Sequence, residues 1–245
     1  MAADRDRTKD RAPVRRDRPD LPDAQSRPQE IDAFLQAART MAPTGTADGR
    51  GRLIFALDAT MSRQPTWDTA LRLQAQMFEE AAKVGGLDIQ LAYYRGFNEC
   101  RASRWVSDGR ALRDLMTTID CRGGHTQIGR ILAHARKETG RKKVNVLVFV
   151  GDAMEEKVDD LAALAGELGM LGLKVFIFQE GRDPSVERAF REIARLSGGA
   201  YARFDISAAG QLAELLRAAA VYAAGGVKAL ARGGAGAQLL LQQLR

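Results

Sequence analysis

A chain of 245 residues with 45% hydrophobic and 28% charged side chains can bury the core of one large or two small domains and is not globally disordered. Its net charge of +6 is not concentrated: residues 51–224 carry 24 basic against 22 acidic groups, which argues against a nucleic-acid-binding face. Two cysteines make no disulfide framework, the N-terminus lacks the apolar core of a secretory signal, and no run nears the roughly 18 apolar residues that span a bilayer, so a soluble, cytoplasmic protein is expected.

Residues 1–28 alternate Arg and Asp with Pro and almost no large apolar side chain. Burial cannot offset their ordering entropy, and the sequence predicts a disordered arm, either a docking segment or a plain solvated tail. A short helix is expected from Pro28 to about Met41, with Ile31, Phe34 and Leu35 on one side, followed by a Gly-rich linker. These 50 residues form a charged N-terminal unit ahead of the folded domain.

Leu53-Ile-Phe-Ala-Leu reads as a strand buried on both faces, and it runs into Asp58. Thr60 and Ser62 follow at alternate positions, so an extended loop could turn three oxygen-bearing side chains toward one point. Pro65 to Val84 reads as a long helix with Trp67, Leu71, Phe78 and Ala81 at helical spacing and Pro65 in its first turn, stopped by Gly85-Gly86. Leu87, Ile89, Leu91 and Tyr93 alternate with polar residues, as in a strand with one better-buried face. Gly96-Phe97-Asn98 turns into Glu99–Val106, the edge strand of a hairpin, and Leu112, Leu115, Met116 and Ile119 mark a short helix.

The glycine loop Cys121-Arg-Gly-Gly-His125-Thr126 then leads into a helix carrying Ile128, Ile131, Leu132 and Ala135. Val144–Val150 is the most apolar strand and also runs into an acid, Gly151-Asp152. A helix is expected at about Glu155–Gly172 with Val158, Leu161, Ala165 and Leu168 inward, then a strand at Leu173–Phe178. Asp183-Pro184 reads as an N-cap with proline at the first helical position, opening a helix that buries Val186, Phe190 and Ile193. Ala200–Phe204 is the last strand, and Leu212, Leu215, Leu216 and Ala219 the last amphipathic helix. The tail, 223–245, carries a weak helical signal at Leu239-Leu-Leu241. Strands alternating with helices, apart from one hairpin, predict an α/β domain: a doubly wound, mostly parallel sheet with one antiparallel edge strand and helices on both faces.

Asp58, Thr60 and Ser62 offer a hard, all-oxygen set, which suits magnesium or manganese rather than zinc, at the strand edge where open α/β sheets bind ligands. With Thr126 after Gly123-Gly124, and Gly151-Asp152, these residues occur in the order of the metal-ion-dependent adhesion site (MIDAS) of the von Willebrand factor A (VWA) domain, normally D-x-S-x-S, a separate threonine and G-D. Residues 51–222 resemble that family, with Thr60 in place of the first serine. The resemblance implies a six-stranded sheet of order 3-2-1-4-5-6. It implies Thr60, Ser62 and Thr126 as hydroxyl ligands of Mg2+ or Mn2+, with Asp58 and Asp152 holding the ion directly or through water. It also implies a non-enzymatic protein–protein interaction module. A partner's Asp or Glu would fill the open metal position over a rim of Gly123, Gly124 and His125, without nucleic acid or membrane. Intracellular bacterial relatives of this kind work beside AAA+ ATPases, proteolytic machinery or metal-insertion complexes.

Three other readings compete. Each of Asp58, Ser62 and Thr126 taken singly could be an ordinary helix or turn cap. Asp58 before Thr60, with Gly151-Asp152 later, partly resembles a magnesium-dependent phosphohydrolase of haloacid-dehalogenase type, although that pattern wants an acid where Thr60 stands. The third is a VWA-fold interaction domain without a metal. His125 borders the site and His134 is assigned nothing. Cys121 has no base to make it a nucleophile, Trp67 and Trp105 read as packing residues, and Arg141-Lys142-Lys143 as a solvated loop.

Overall fold

Six strands form a single sheet in the computed structural model, which describes residues 50–67, 87–204 and 216–225. They are Gly51–Asp58 (β1), Leu87–Arg95 (β2), Glu99–Ala102 (β3), Val146–Gly151 (β4), Lys174–Glu180 (β5) and Ala200–Phe204 (β6), in spatial order β3-β2-β1-β4-β5-β6. All neighbours pair in parallel except β2 and β3, whose antiparallel hairpin makes one edge. The expected sheet, its order and its antiparallel edge strand are therefore all present. The expected helix near 28–41, the N-terminal arm, most of the Pro65–Val84 helix, Leu212, Leu215 and the Leu239–Leu241 tail lie outside the described residues.

Period-two alternation in strands that are buried on both sides builds two cores, one on each face. Leu53, Phe55 and Leu57 of β1, with Val146, Val148 and Val150 of β4, pack on Gly109–Met116 (α1) and on helical residues 216–225. Ile54, Ala56, Leu147 and Phe149 face the other way. They meet Ile128–Arg141 (α2), Val158–Met170 (α3) and Pro184–Leu196 (α4).

Several expectations change in detail. β2 is buried along both faces, not mainly one, because its polar residues find partners: Gln90 donates to Ser103 O at 2.8 Å, and Asp88 pairs with Arg50 at 2.8 Å. The strand expected from Val144 begins at Val146, since Asn145 turns its side chain to accept from Arg52 N at 2.7 Å. Pro65 lies inside a 3-10 turn, Met61–Thr66, and α-helical geometry begins at Trp67, two residues after the proline. Val158 is 38% exposed and not inward, since the buried stripe of α3 is Leu161, Ala165 and Leu168. Trp67 and Trp105 do pack, donating to Ile119 O (3.1 Å) and Glu138 Oε2 (2.8 Å) respectively. Arg141, Lys142 and Lys143 are exposed.

Asp183 caps α4 as expected, with Oδ1 accepting from Ser185 N at 2.7 Å and Val186 N at 3.4 Å ahead of Pro184. Asp183→Ala removes that acceptor and should lower unfolding free energy by about 1 kcal/mol, read from urea melts; no change would mean that water replaces the cap fully.

Candidate metal-binding site

The parallel pairing of β1 with β4 sets Leu57 opposite Val150, so both strands end at one edge with Asp58 and Gly151-Asp152 side by side. Gly151 is tight against this point: a Cβ there would lie 3.5 Å from that of Asp58 and 2.8 Å from the Phe149 ring. Asp58 is fully buried. Its Oδ1 accepts from Thr60 N and its Oδ2 from the Tyr94 hydroxyl, both at 2.8 Å. Tyr94 is the β2 residue in register with Asp58, so the two side chains leave the sheet on the same face.

Thr60 Oγ1 lies 3.1 Å from Ser62 Oγ, which brings the two hydroxyls together beyond the strand end. Thr60 is buried and Ser62 exposed, so the pair runs from the interior to the surface. The glycine loop is fastened alongside by a bridge between Thr60 and Arg122, in which Arg122 N donates to Ala59 O at 3.0 Å. Gly124 has room for no side chain, since a Cβ would come within 2.0 Å of Gly96 O. His125 N donates to that same carbonyl at 3.3 Å. Gly123 and His125 are exposed, and the His125 ring meets exposed Phe97 edge-on at 5.2 Å between centroids.

Thr126 is buried, and among the described residues its hydrogen bonds go to Glu155, three residues beyond Asp152 in the same loop. Its Oγ1 accepts from Glu155 N and its own N–H donates to Glu155 Oε2, each at 3.0 Å. Glu156 then accepts from Ile128 N (2.6 Å) and Gly129 N (2.8 Å) at the start of α2. Carboxylates from the β4 loop thus satisfy the helix N-terminus, where they also meet its positive dipole end. Capping does not account for Thr60 or Thr126, because neither hydroxyl accepts from a helix N–H.

Beneath the edge lies Arg63, buried in the 3-10 turn. Its guanidinium donates to Glu180 Oε2 (3.1 Å), Asp58 O (3.2 Å) and Val150 O (3.4 Å), joining the ends of β5, β1 and β4.

Electrostatics leave this edge short of positive charge. Burial pushes the Asp58 carboxyl above its ordinary value, hydrogen bonds from Thr60 pull it back, and the charge of Asp152 raises it further. The Tyr94 phenol is held well above its ordinary value, by burial first and then by Asp58, so it remains a donor. Asp152 Oδ1 is buried and has no hydrogen-bond partner among the described residues. An orphaned carboxylate oxygen beside a second, buried carboxylate is costly unless something positive meets it. Among the described residues no three His, Cys, Asp or Glu side chains form a metal cluster. A cation here would depend on the hydroxyls as well, which fits a hard, oxygen-seeking ion.

No family model matches the chain, and no curated protein matches its sequence. Solved structures match its fold. An aerotolerance-related membrane protein from Bacteroides fragilis NCTC 9343, carrying multiple mutations to serines, superposes with a TM-score of 0.53 at 19% identity, over 66% of this chain and 96% of that one. A von Willebrand factor type A structure from Catenulispora acidiphila gives 0.58 at 17% identity, over 71% of this chain and 43% of that one. The chain has the VWA fold. Proximal thread matrix protein 1 from the mussel byssus, solved with zinc in its MIDAS motif, gives 0.56 at 15% identity over 73% and 48% of the two chains. The chain spans less than half the length of these last two proteins. Asp58 ends β1 at the carboxyl edge of the sheet, Ser62 lies in the 3-10 turn after it, and Thr60, Thr126 and Asp152 lie in the connecting loops. Among the described residues no helix is long and apolar enough to cross a membrane.

The raised carboxyl of Asp58 has a pH consequence with a definite sign. The folded state holds this proton to higher pH than the unfolded chain does, so ionising Asp58 costs stability once pH passes the unfolded value near 3.8. In EDTA, wild type should lose stability relative to Asp58→Asn as pH rises from about 4 to 7, and the two should converge as pH falls. Urea melts across that range check it; a difference independent of pH would mean that the carboxyl does not titrate in the folded state as argued.

Proposed function

We propose that residues 51–222 form a non-enzymatic interaction module that captures an acidic side chain of a protein partner through a divalent cation. The observation that carries this reading is the buried, unpartnered Asp152 Oδ1 beside fully buried Asp58. Asp58, Thr60, Ser62, Thr126 and Asp152 would hold the ion, directly or through water. Mg2+ or Mn2+ suits them best, because hydroxyls and carboxylates are hard donors and none is sulfur or imidazole. The zinc-occupied MIDAS motif of the mussel protein supports divalent binding at such an edge.

Hydroxyl ligands leave much of a cation's charge uncancelled. Two aspartates contribute about two negative charges, roughly neutralised by a divalent ion, and the ion keeps its pull on one further anion. A partner's Asp or Glu gains a metal bond there that a neutral side chain cannot match. Gly123, Gly124 and His125 form the rim it would cross. The partner belongs, on this reading, to a cytoplasmic multiprotein complex, built around an AAA+ ATPase or other machinery. No carboxyl group stands two residues beyond Asp58, where a haloacid-dehalogenase-type phosphohydrolase needs its acid, because that place is held by Thr60.

Metal should stabilise the fold by mass action. At a concentration 100-fold above its dissociation constant, Mg2+ or Mn2+ should add about 2.7 kcal/mol and raise the melting temperature by about 5–10 °C. Asp152→Ala should abolish the rise; an equal rise in that variant would place the ion elsewhere.

Partner capture should be lost in EDTA and weakened by Thr126→Ala, with Thr126→Ser restoring it because the hydroxyl returns. The serine control is needed because Thr126 Oγ1 also holds Glu155 N. Pull-down with and without chelator reads the outcome, and a partner retained equally by EDTA-treated protein and by Thr126→Ala would show that this edge is not the working surface.

A further inference from the structure

A cleft of about 330 Å³ opens between α2 and the β2–β3 hairpin, and none of the proposed metal ligands lines it. It exists because the side chains there are small. Ala92 of β2, Ala102 of β3 and Ala133 of α2 leave a hollow that larger residues would fill, and Ile131 adds to its apolar floor.

Its walls are cationic. Arg130, His134 and Lys137 fall on one stripe of α2 at i, i+4 and i+7. No Asp or Glu lines the cleft among the described residues. The Arg130 guanidinium is fixed by neutral oxygens, with Nη1 donating to Asn98 O at 2.8 Å and to Gln127 Oε1 at 2.6 Å. Its charge is therefore oriented without being cancelled, and its remaining N–H groups make no hydrogen bond among the described residues. Lys137 makes no hydrogen bond or ion pair among the described residues. Arg101 of β3 also borders the cleft, but its register partner is Tyr93, on the face away from Ala92, and its guanidinium pairs with Glu99 at 3.0 Å. His134 Nε2 lies 2.8 Å from Gln90 Oε1, and Gln90 is itself oriented by its bond to Ser103 O. The imidazole is thus set as a Nε2–H donor, and burial holds its pKa below the ordinary value.

We propose that this cleft binds a small organic molecule carrying a phosphate group, with Arg130 and Lys137 on the phosphate and the alanine floor against its carbon skeleton. The guanidinium fork matches phosphate oxygens in pairs, and Lys supplies a point charge beside it. The volume lies at the lower end of small-molecule sites, which suits a compact ligand. The concave shape and apolar floor favour an organic phosphate over a bare anion, and over an acidic peptide laid along the hairpin edge.

Calorimetric titration of the full chain with phenyl phosphate in EDTA tests this, because chelation removes any contribution from a metal. Saturable one-to-one binding is expected. The double variant Arg130→Gln, Lys137→Gln should bind at least about tenfold more weakly. Ala133→Leu, which fills the hollow without changing charge, should weaken binding comparably, and Ala102→Leu does the same from exposed β3 should the helix variant fail to fold. Asp152→Ala should bind as wild type does, whatever becomes of the metal reading. Bound ligand should also slow alkylation of half-buried Cys100, which lines the cleft. The proposal is overturned if only the charge variant loses affinity, which would mean diffuse surface attraction. It is also overturned if inorganic phosphate binds as tightly as phenyl phosphate, or if an oligoglutamate peptide binds and phenyl phosphate does not.

Discussion

A fully buried carboxylate at the end of β1 sets the terms for everything around it. Asp58 stands where the strand leaves the sheet, between cores on both faces, and there is no water shell to hold its charge. The neighbourhood meets part of that cost with the Thr60 N–H and the Tyr94 hydroxyl. It then adds to the cost by placing Asp152 at the end of the adjacent parallel strand. A fold that needed only a stable strand end would put a neutral residue at one of these positions. Two acids here, with Thr60 and Ser62 in mutual contact beside them, make sense as a receptor for positive charge.

A buried guanidinium ties together the strand ends beneath these acids. Arg63 lies beneath the edge, pairs with Glu180 and donates to the carbonyls of Asp58 and Val150. A buried pair of this kind is weak evidence of stability, since desolvation takes back much of the Coulombic gain. Its effect is positional: one side chain ties the 3-10 turn carrying Ser62 to the ends of three strands. Removing Arg63 would leave Glu180 buried and unmatched as well as loosening the turn.

Much of this was legible in the sequence because strand signals and site signals coincide. Apolar runs ending in Asp58 and in Gly151-Asp152 located two neighbouring strands and the edge they share. The unbroken βα alternation around one hairpin fixed the class of sheet. The supporting residues were harder to see. Tyr94 was hidden by an alternation pattern that favoured Tyr93, since only the pairing register of β1 with β2 reveals which residue shares a face with Asp58. Glu155 and Glu156 fell at the start of the helix expected from Glu155, yet they precede that helix and bond the N-terminal end of a different one 28 or 29 positions away, which no local pattern encodes. Val158 failed as a core residue because the periodic stripe of α3 starts one turn later, at Leu161.

Those caps also explain why the site's loops are held as a unit. Thr126 and Glu155 exchange two hydrogen bonds, Glu156 holds the first N–H groups of α2, and Gly124 lies too close to Gly96 for any side chain. The glycine loop, the β4 loop and the hairpin tip are therefore mutually fixed through backbone and carboxylate contacts. Loop residues that move independently would lose the alignment of their oxygens each time one shifted, and the entropy of ordering them would be charged against any ligand. Fastening the loops before a ligand arrives removes that cost. The same fastening fixes the position of Arg130, whose guanidinium is held by Asn98 of the hairpin tip and Gln127 at the start of α2. The carboxyl edge and the cationic cleft thus meet at the N-terminal end of α2, where Thr126 belongs to the edge and Arg130, four residues on, lines the cleft.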